Sequence, residues 1–284
     1  MDQQKEWQTH VSVIIVVEKH RRHLKRLSAA AKRIAPKTEV IFVCSPQAAG
    51  QVERIIGSPV TIAETASSPM EMGIIGAAQA TGNILLFLED RMLLSTSTLK
   101  QYVSSVEKGK DIVLTIYKRE RSPHTIAHQL LNHVAGRKDL QSASLCKMPF
   151  AVSRSAWQTI GNGMAIPPLA QAQAVVYGLS LAAIRLPQHP SLSTRSRVAL
   201  LPDTDADPLL RQHVDAIRLL LAHKGFRGGI EDGDRFRQLL QVPGKLHFRS
   251  VFRRDPDAWW WYSRRGGGSN EKRKGKRTRS RKKR

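Results

Sequence analysis

Residues 11–17, Val-Ser-Val-Ile-Ile-Val-Val, form a β-branched run broken only by Ser12. Such a run suits a strand covered on both faces, which requires a sheet with a helical layer on each side. The next segments repeat the theme. Residues 19–34 place Leu24, Leu27, Ala31 and Ile34 on one helical stripe, and residues 39–44 form a second strand. Helix, strand, helix and strand then succeed one another at residues 48–56, 60–63, 70–80 and 84–88. A helix over 98–106, entered from about Ser95, and a strand over 111–117 complete the series. Strict alternation implies right-handed crossovers and an α/β, three-layer arrangement around a mostly parallel sheet.

The strand at 84–88 carries the most chemical information. It ends in Glu89 and Asp90, and in an open α/β sheet ligands sit just beyond the carboxyl ends of the strands. Two acids there either hold a divalent cation bridging a diphosphate, or cap the next helix or lie solvated in a loop.

The order of elements and the segment from Gly82 to Leu99 resemble the family 2 glycosyltransferases, which have a GT-A fold. The family opens with a strand like residues 11–15. Its metal-binding Asp-x-Asp follows a strand like Gly82-Asn-Ile-Leu-Leu-Phe-Leu88 and precedes Leu-Leu-Ser, here Leu93-Leu94-Ser95. Residues 150–161 are similar to its acceptor-side strand and helix, and residues 171–186 to the helix-Gly-strand that comes next. The resemblance spans roughly residues 10–190.

It implies a nucleotide-sugar donor and an Mn²⁺ or Mg²⁺ ion on Glu89 and Asp90. Val16, Val17, Glu18, Lys19, Cys44 and Ser45 would line the nucleotide, with Arg91 and Arg154 as phosphate partners. Three departures bear on activity. Cys44-Ser45-Pro46 replaces the family's paired acids after the second strand. Glu89-Asp90-Arg91 replaces Asp-x-Asp, so a guanidinium, which forms bidentate bonds to phosphate, stands where the second ligand would be. Ile166-Pro167-Pro168 replaces the acid pair that supplies the base, and no Asp or Glu occurs between Asp139 and Asp203. A base would have to come from Glu89, Asp90, a histidine such as His189, or the cluster Glu231, Asp232, Asp234.

Two function classes stay open. One is a nucleotide-sugar-dependent glycosyltransferase with an unknown acceptor. The other is a catalytically inactive protein of the same fold that acts as a binding scaffold through its basic tail.

That tail begins behind the linker Gly266-Gly-Gly-Ser269. From Arg264 to Arg284 there are 12 Lys or Arg against one acid, Glu271, within a chain of net charge +23. Such a composition cannot bury a core and is expected to be disordered. Its partner is polyanionic: non-specific nucleic acid, an acidic polymer or an anionic membrane surface. Trp259, Trp260, Trp261 and Tyr262 either anchor at a membrane interface or pack back on the domain.

These features divide the chain into a GT-A-like domain over 1–200, a C-terminal helical and aromatic extension over 201–262, and the tail over 263–284. Within the extension, residues 208–224 place Leu209, Leu210, Val214, Ile217, Leu220 and Leu221 on a helical stripe that Gly225 ends. The loop over 225–234, with Arg227, is either a phosphate cradle or a plain connection.

Cys44 and Cys146 lack metal-ligand spacing and read as buried free thiols of a reducing compartment. His124, His128 and His133 read as helix-surface histidines without a metal. Without a signal-peptide pattern or a run of roughly 20 apolar residues, the chain is expected in the cytoplasm, peripheral at the membrane if its tail engages lipid.

Overall fold

The computed structural model describes residues 9–18, 23–64, 66, 68–118, 122–186 and 208–225. Lys19, His189, Arg227, the acids at 231–234, the tryptophan cluster and the basic tail lie outside them.

Seven strands form one sheet in the order β3-β2-β1-β4-β6-β5-β7. They are β1 (His10–Val17), β2 (Lys37–Cys44), β3 (Thr61–Ile62), β4 (Ile84–Glu89), β5 (Ile112–Tyr117), β6 (Phe150–Ser153) and β7 (Leu181–Leu186). All run parallel except β6, which lies antiparallel between β4 and β5. This is the mostly parallel α/β sheet the alternation predicts, with one inverted strand.

The described residues also form the α-helices α1 (Leu24–Ala31), α2 (Pro46–Ile56), α3 (Pro69–Gln79), α4 (Thr96–Glu107), α5 (Pro123–Val134), α6 (Arg154–Ile160), α7 (Pro167–Val176) and α8 (Pro208–Lys224). α1 is shorter than its stripe suggests because Pro36 forbids helix just ahead of it and β2 begins at Lys37.

The two-residue period sorts the core into two layers. On β1, Ile14 and Val16 face α3, α6 and α7, whereas Val13, Ile15 and Val17 face α1, α2 and α4. On β4, Leu85 and Phe87 join the first layer, and Leu86 and Leu88 the second. Phe87 stacks on Phe150 of β6, ring centroids 4.5 Å apart, and on Trp157 of α6 at 5.4 Å. β4 is buried along its whole length.

α8 packs against α5 and α7 through Leu131, Ala135, Ala172, Ala216 and Leu220. The face it buries is His213, Ala216 and Leu220. Val214, which the apolar stripe places inside, is 47 % exposed, because the contact lies about one residue around the helix from the stripe's centre. Among the described residues no helix is long and apolar enough to cross a membrane.

Candidate functional site

β1 connects through α1 to β2 on one side, whereas β4 connects through α4 to β5, two places away on the other side. The strand order therefore reverses between β1 and β4, and the crevice beyond their carboxyl ends is where such sheets hold ligands. The register brings the ends together: Val16 pairs with Glu89 and with Val43, and Val17 pairs with Cys44. The Asp90 N–H donates to the Val16 carbonyl at 2.9 Å, fixing the turn after β4.

Glu89 and Asp90 are 7 % and 2 % exposed, so neither is a solvated loop acid. Nor do they cap the next helix. Ser95 does that, its hydroxyl accepting the Thr98 N–H at 3.2 Å. Both of the ordinary roles for this acid pair are thus excluded.

Arg91 is half-buried and donates through Nε to Glu89 Oε2. Burial is the largest influence on the Glu89 carboxyl and raises its pKa above the ordinary value, with Glu18 and Asp90 pushing the same way. The hydrogen bond and charge of Arg91 oppose this without cancelling it. A carboxyl raised in the folded state contributes stability at low pH that is lost as pH rises through its folded pKa, above 4.5. Glu89→Gln lacks that titration. Its thermal midpoint should therefore gain on the wild type as pH rises past 4.5. A midpoint difference independent of pH would contradict the assignment.

The remaining expected donor residues contribute unequally. Val16 and Val17 are fully buried in opposite core layers, so they offer backbone and not side chains. Cys44 is buried as well, and its carbonyl accepts the Ala63 N–H. Glu18 and Ser45 carry the exposed and half-exposed side chains of this edge.

Arg154 is not a phosphate partner here. Because β6 is antiparallel, the residue after it lies at the amino end of β4, opposite Glu89. There its guanidinium donates to the Gly82 carbonyl at 2.9 and 2.7 Å and to the Ala80 carbonyl at 2.7 Å.

Glu89 and Arg91 open into a cavity of about 470 Å³, whose wall includes Met70 and Glu71 of α3, Cys146, Pro167 of α7, and Leu209 and Gln212 of α8. A cavity of about 530 Å³ lies between Thr9, Lys37, Lys100 and Glu107. It faces the amino ends of the parallel strands, where this architecture does not build ligand sites, so the smaller cavity is the candidate. Sequence reasoning missed Glu71 as a wall residue, since it reads as an ordinary first-turn acid of α3. It also missed His128, which is 1 % exposed and hydrogen-bonds to His213 across 85 residues of chain.

No protein-family model matches the chain, and no curated protein matches it. Solved structures do. Glucosyl-3-phosphoglycerate synthase from Mycobacterium tuberculosis, in complex with Mn²⁺, UDP and glucosyl-3-phosphoglycerate, is 17 % identical with a TM-score of 0.55. The match covers 79 % of this chain and 82 % of that one. The same enzyme with Mn²⁺, UDP-glucose and phosphoglyceric acid gives 16 % and 0.54 over the same coverage. A further structure of it gives 17 % and 0.51, again over 79 % and 82 %. At this identity the likeness shows the fold, which is the GT-A arrangement the sequence resemblance implies.

Proposed function

We propose that the protein is a glycosyltransferase that takes a sugar from a nucleotide-sugar donor and passes it to an acceptor hydroxyl in the 470 Å³ cavity. The observation that carries this reading is the convergence of Val17, Cys44 and Glu89 to Arg91 at the strand-order reversal of a GT-A-like sheet. The neighbours of the same fold are described as bound to UDP or UDP-glucose with Mn²⁺, which supports the donor class. A fold alone does not establish chemistry, so the weight rests on the site.

The nucleotide lies along the backbone of β1 and the loop after β2, against Glu18 and Ser45. The diphosphate meets Arg91, whose planar fork suits phosphate oxygens and which Glu89 holds in place. Glu89 and Asp90 are hard oxygen donors and suit a divalent ion in kind, but Arg91 already stands on one of them, so ion and guanidinium compete. An ion bound there would neutralise diphosphate charge, the task Arg91 performs in its absence. In transfer, the acceptor oxygen bonds to the anomeric carbon as the bond to the nucleoside diphosphate breaks. Among the described residues, Glu71 and Glu89 are the cavity carboxylates that face an acceptor hydroxyl. The basic tail is proposed as a separate device for polyanionic partners, nucleic acid, acidic polymer or anionic membrane.

Hydrogen exchange locates the donor site. Saturating UDP-glucose, or another nucleotide sugar that binds, should protect amides at 16–18, 44–45 and 89–92. Protection confined to the cavity around Lys37 and Lys100 would contradict the reading.

A further inference from the structure

His128 of α5, Cys146 of the loop before β6 and His213 of α8 come from three separate parts of the chain. Their ligand atoms all lie within 4.8 Å of one another. Among the described residues no other group of three His, Cys, Asp or Glu gathers its donor atoms this way. The two histidines are 1 % and 2 % exposed, with His128 Nδ1 2.6 Å from His213 Nε2.

The hydrogen bonds settle the tautomers. His213 Nδ1 lies 2.7 Å from the Leu209 carbonyl, which can only accept, so Nδ1 carries the proton and Nε2 presents a lone pair to the cluster. An imidazole whose far nitrogen donates to a backbone carbonyl is the usual arrangement of a metal-binding histidine, because it fixes both ring orientation and tautomer. His128 then donates through Nδ1 to that lone pair. Burial, ahead of the Lys147 charge, His213 and His124, pushes the His128 pKa down to about 2. Burial likewise pushes the Cys146 thiol up to about 11 in the absence of an ion, and the charge of Lys147 works against that rise.

We propose that His128, Cys146 and His213 form a binding site for a soft divalent transition-metal ion, zinc by the chemistry of two imidazoles and a thiolate. Bonds of about 2.0–2.1 Å to nitrogen and about 2.3 Å to sulfur would move the two ring nitrogens apart to about 3.3 Å. That is a small rotation of side chains on α5 and α8. Binding releases one proton, from Cys146 Sγ, while His128 moves its ring proton from Nδ1 to Nε2 through solvent. Three protein ligands leave a fourth position open, and Cys146 lines the cavity beside it. Because Leu209 and Gln212 form part of the same wall, the ion would pin α8 and set the width of the cavity. This site is separate from Glu89 and Asp90, and it stands whether or not the donor reading does.

Cobalt(II) added to the untagged full-length protein tests it. One equivalent should give tetrahedral visible bands and a thiolate-to-cobalt charge-transfer band in the near ultraviolet, and zinc should abolish both by displacement. Cys44 is the only other thiol, so Cys44→Ser should keep the charge-transfer band and Cys146→Ser should lose it. His213→Gln should weaken zinc binding beyond the roughly 10–100-fold typical of removing an outer partner. Should either variant fail to fold, wild-type protein still decides: zinc must slow alkylation of Cys146, mapped by mass spectrometry. Absence of the band in wild type, its survival in Cys146→Ser, or alkylation indifferent to zinc would each overturn the proposal and leave a hydrogen-bonded histidine pair.

Discussion

Replacing Gly82 with alanine should destabilise the protein by at least about 3 kcal/mol in urea unfolding, a large effect for one methyl group. A Cβ there would sit 2.5 Å from Ser12 Oγ, 2.6 Å from Ser12 N and 2.7 Å from the His10 carbonyl. Two of those three atoms belong to the β1 backbone, which cannot move without breaking its pairing with β2 and β4. The Gly82 amide donates to Ser12 Oγ at 2.7 Å and to Glu39 Oε1 at 3.2 Å, and its carbonyl accepts from Arg154. One residue thus ties β1, β2, β4 and the start of α6 together at the amino end of the sheet. Gly50→Ala is the matched control. Its added methyl meets nothing within 4 Å, on an exposed turn of α2, and it should stabilise by about 0.5–1 kcal/mol. Equal effects at the two glycines would refute this account of β4's placement.

The second large effect concerns the cation on Glu89. Arg91→Ala should weaken metal-free binding of the donor by about 10–150-fold, the worth of charge-assisted hydrogen bonds of about 1.5–3 kcal/mol. It also vacates the carboxylate, so added Mn²⁺ should restore much of that loss. The Glu89→Ala/Asp90→Ala double variant removes the support for either cation, and Mn²⁺ should not rescue it. Titrations of the three proteins with and without Mn²⁺ read this out directly. Equal rescue of both variants would show that the ion does not use these carboxylates.

Much of the fold is legible in the residues, because hydrophobic period is local information. The run at 11–17, the buried segment at 84–88 and the serine before α4 place β1, β4 and the start of α4, whereas the pairing of β1 with β4, and so the crevice between them, comes from the sheet order. The features that stayed hidden depend on chain direction and long-range contact. A four-residue strand reads the same in either orientation, so nothing at 150–153 announces that β6 is inverted, and Arg154 consequently moves to the far end of the sheet. His128 looks like a surface histidine until α8 delivers His213 to it. A signal was present in α8, since His213 is four residues from both Leu209 and Ile217, on the side that is buried. Glu89 and Asp90 were ambiguous in sequence because an acid after a strand serves a cap as well as a site. Only their burial and the capping by Ser95 separate the two.

A donor site in the β1/β4 crevice has to bind at least one nucleotide sugar. Calorimetric titration of the purified full-length protein with UDP-, GDP- and dTDP-sugars, each with and without Mn²⁺, tests it most directly. Saturable one-to-one binding to at least one donor is expected, measurable without metal because Arg91 supplies the charge, and lost in the Glu89→Ala/Asp90→Ala variant. A folded wild-type protein that binds none of them, with or without Mn²⁺, would contradict it.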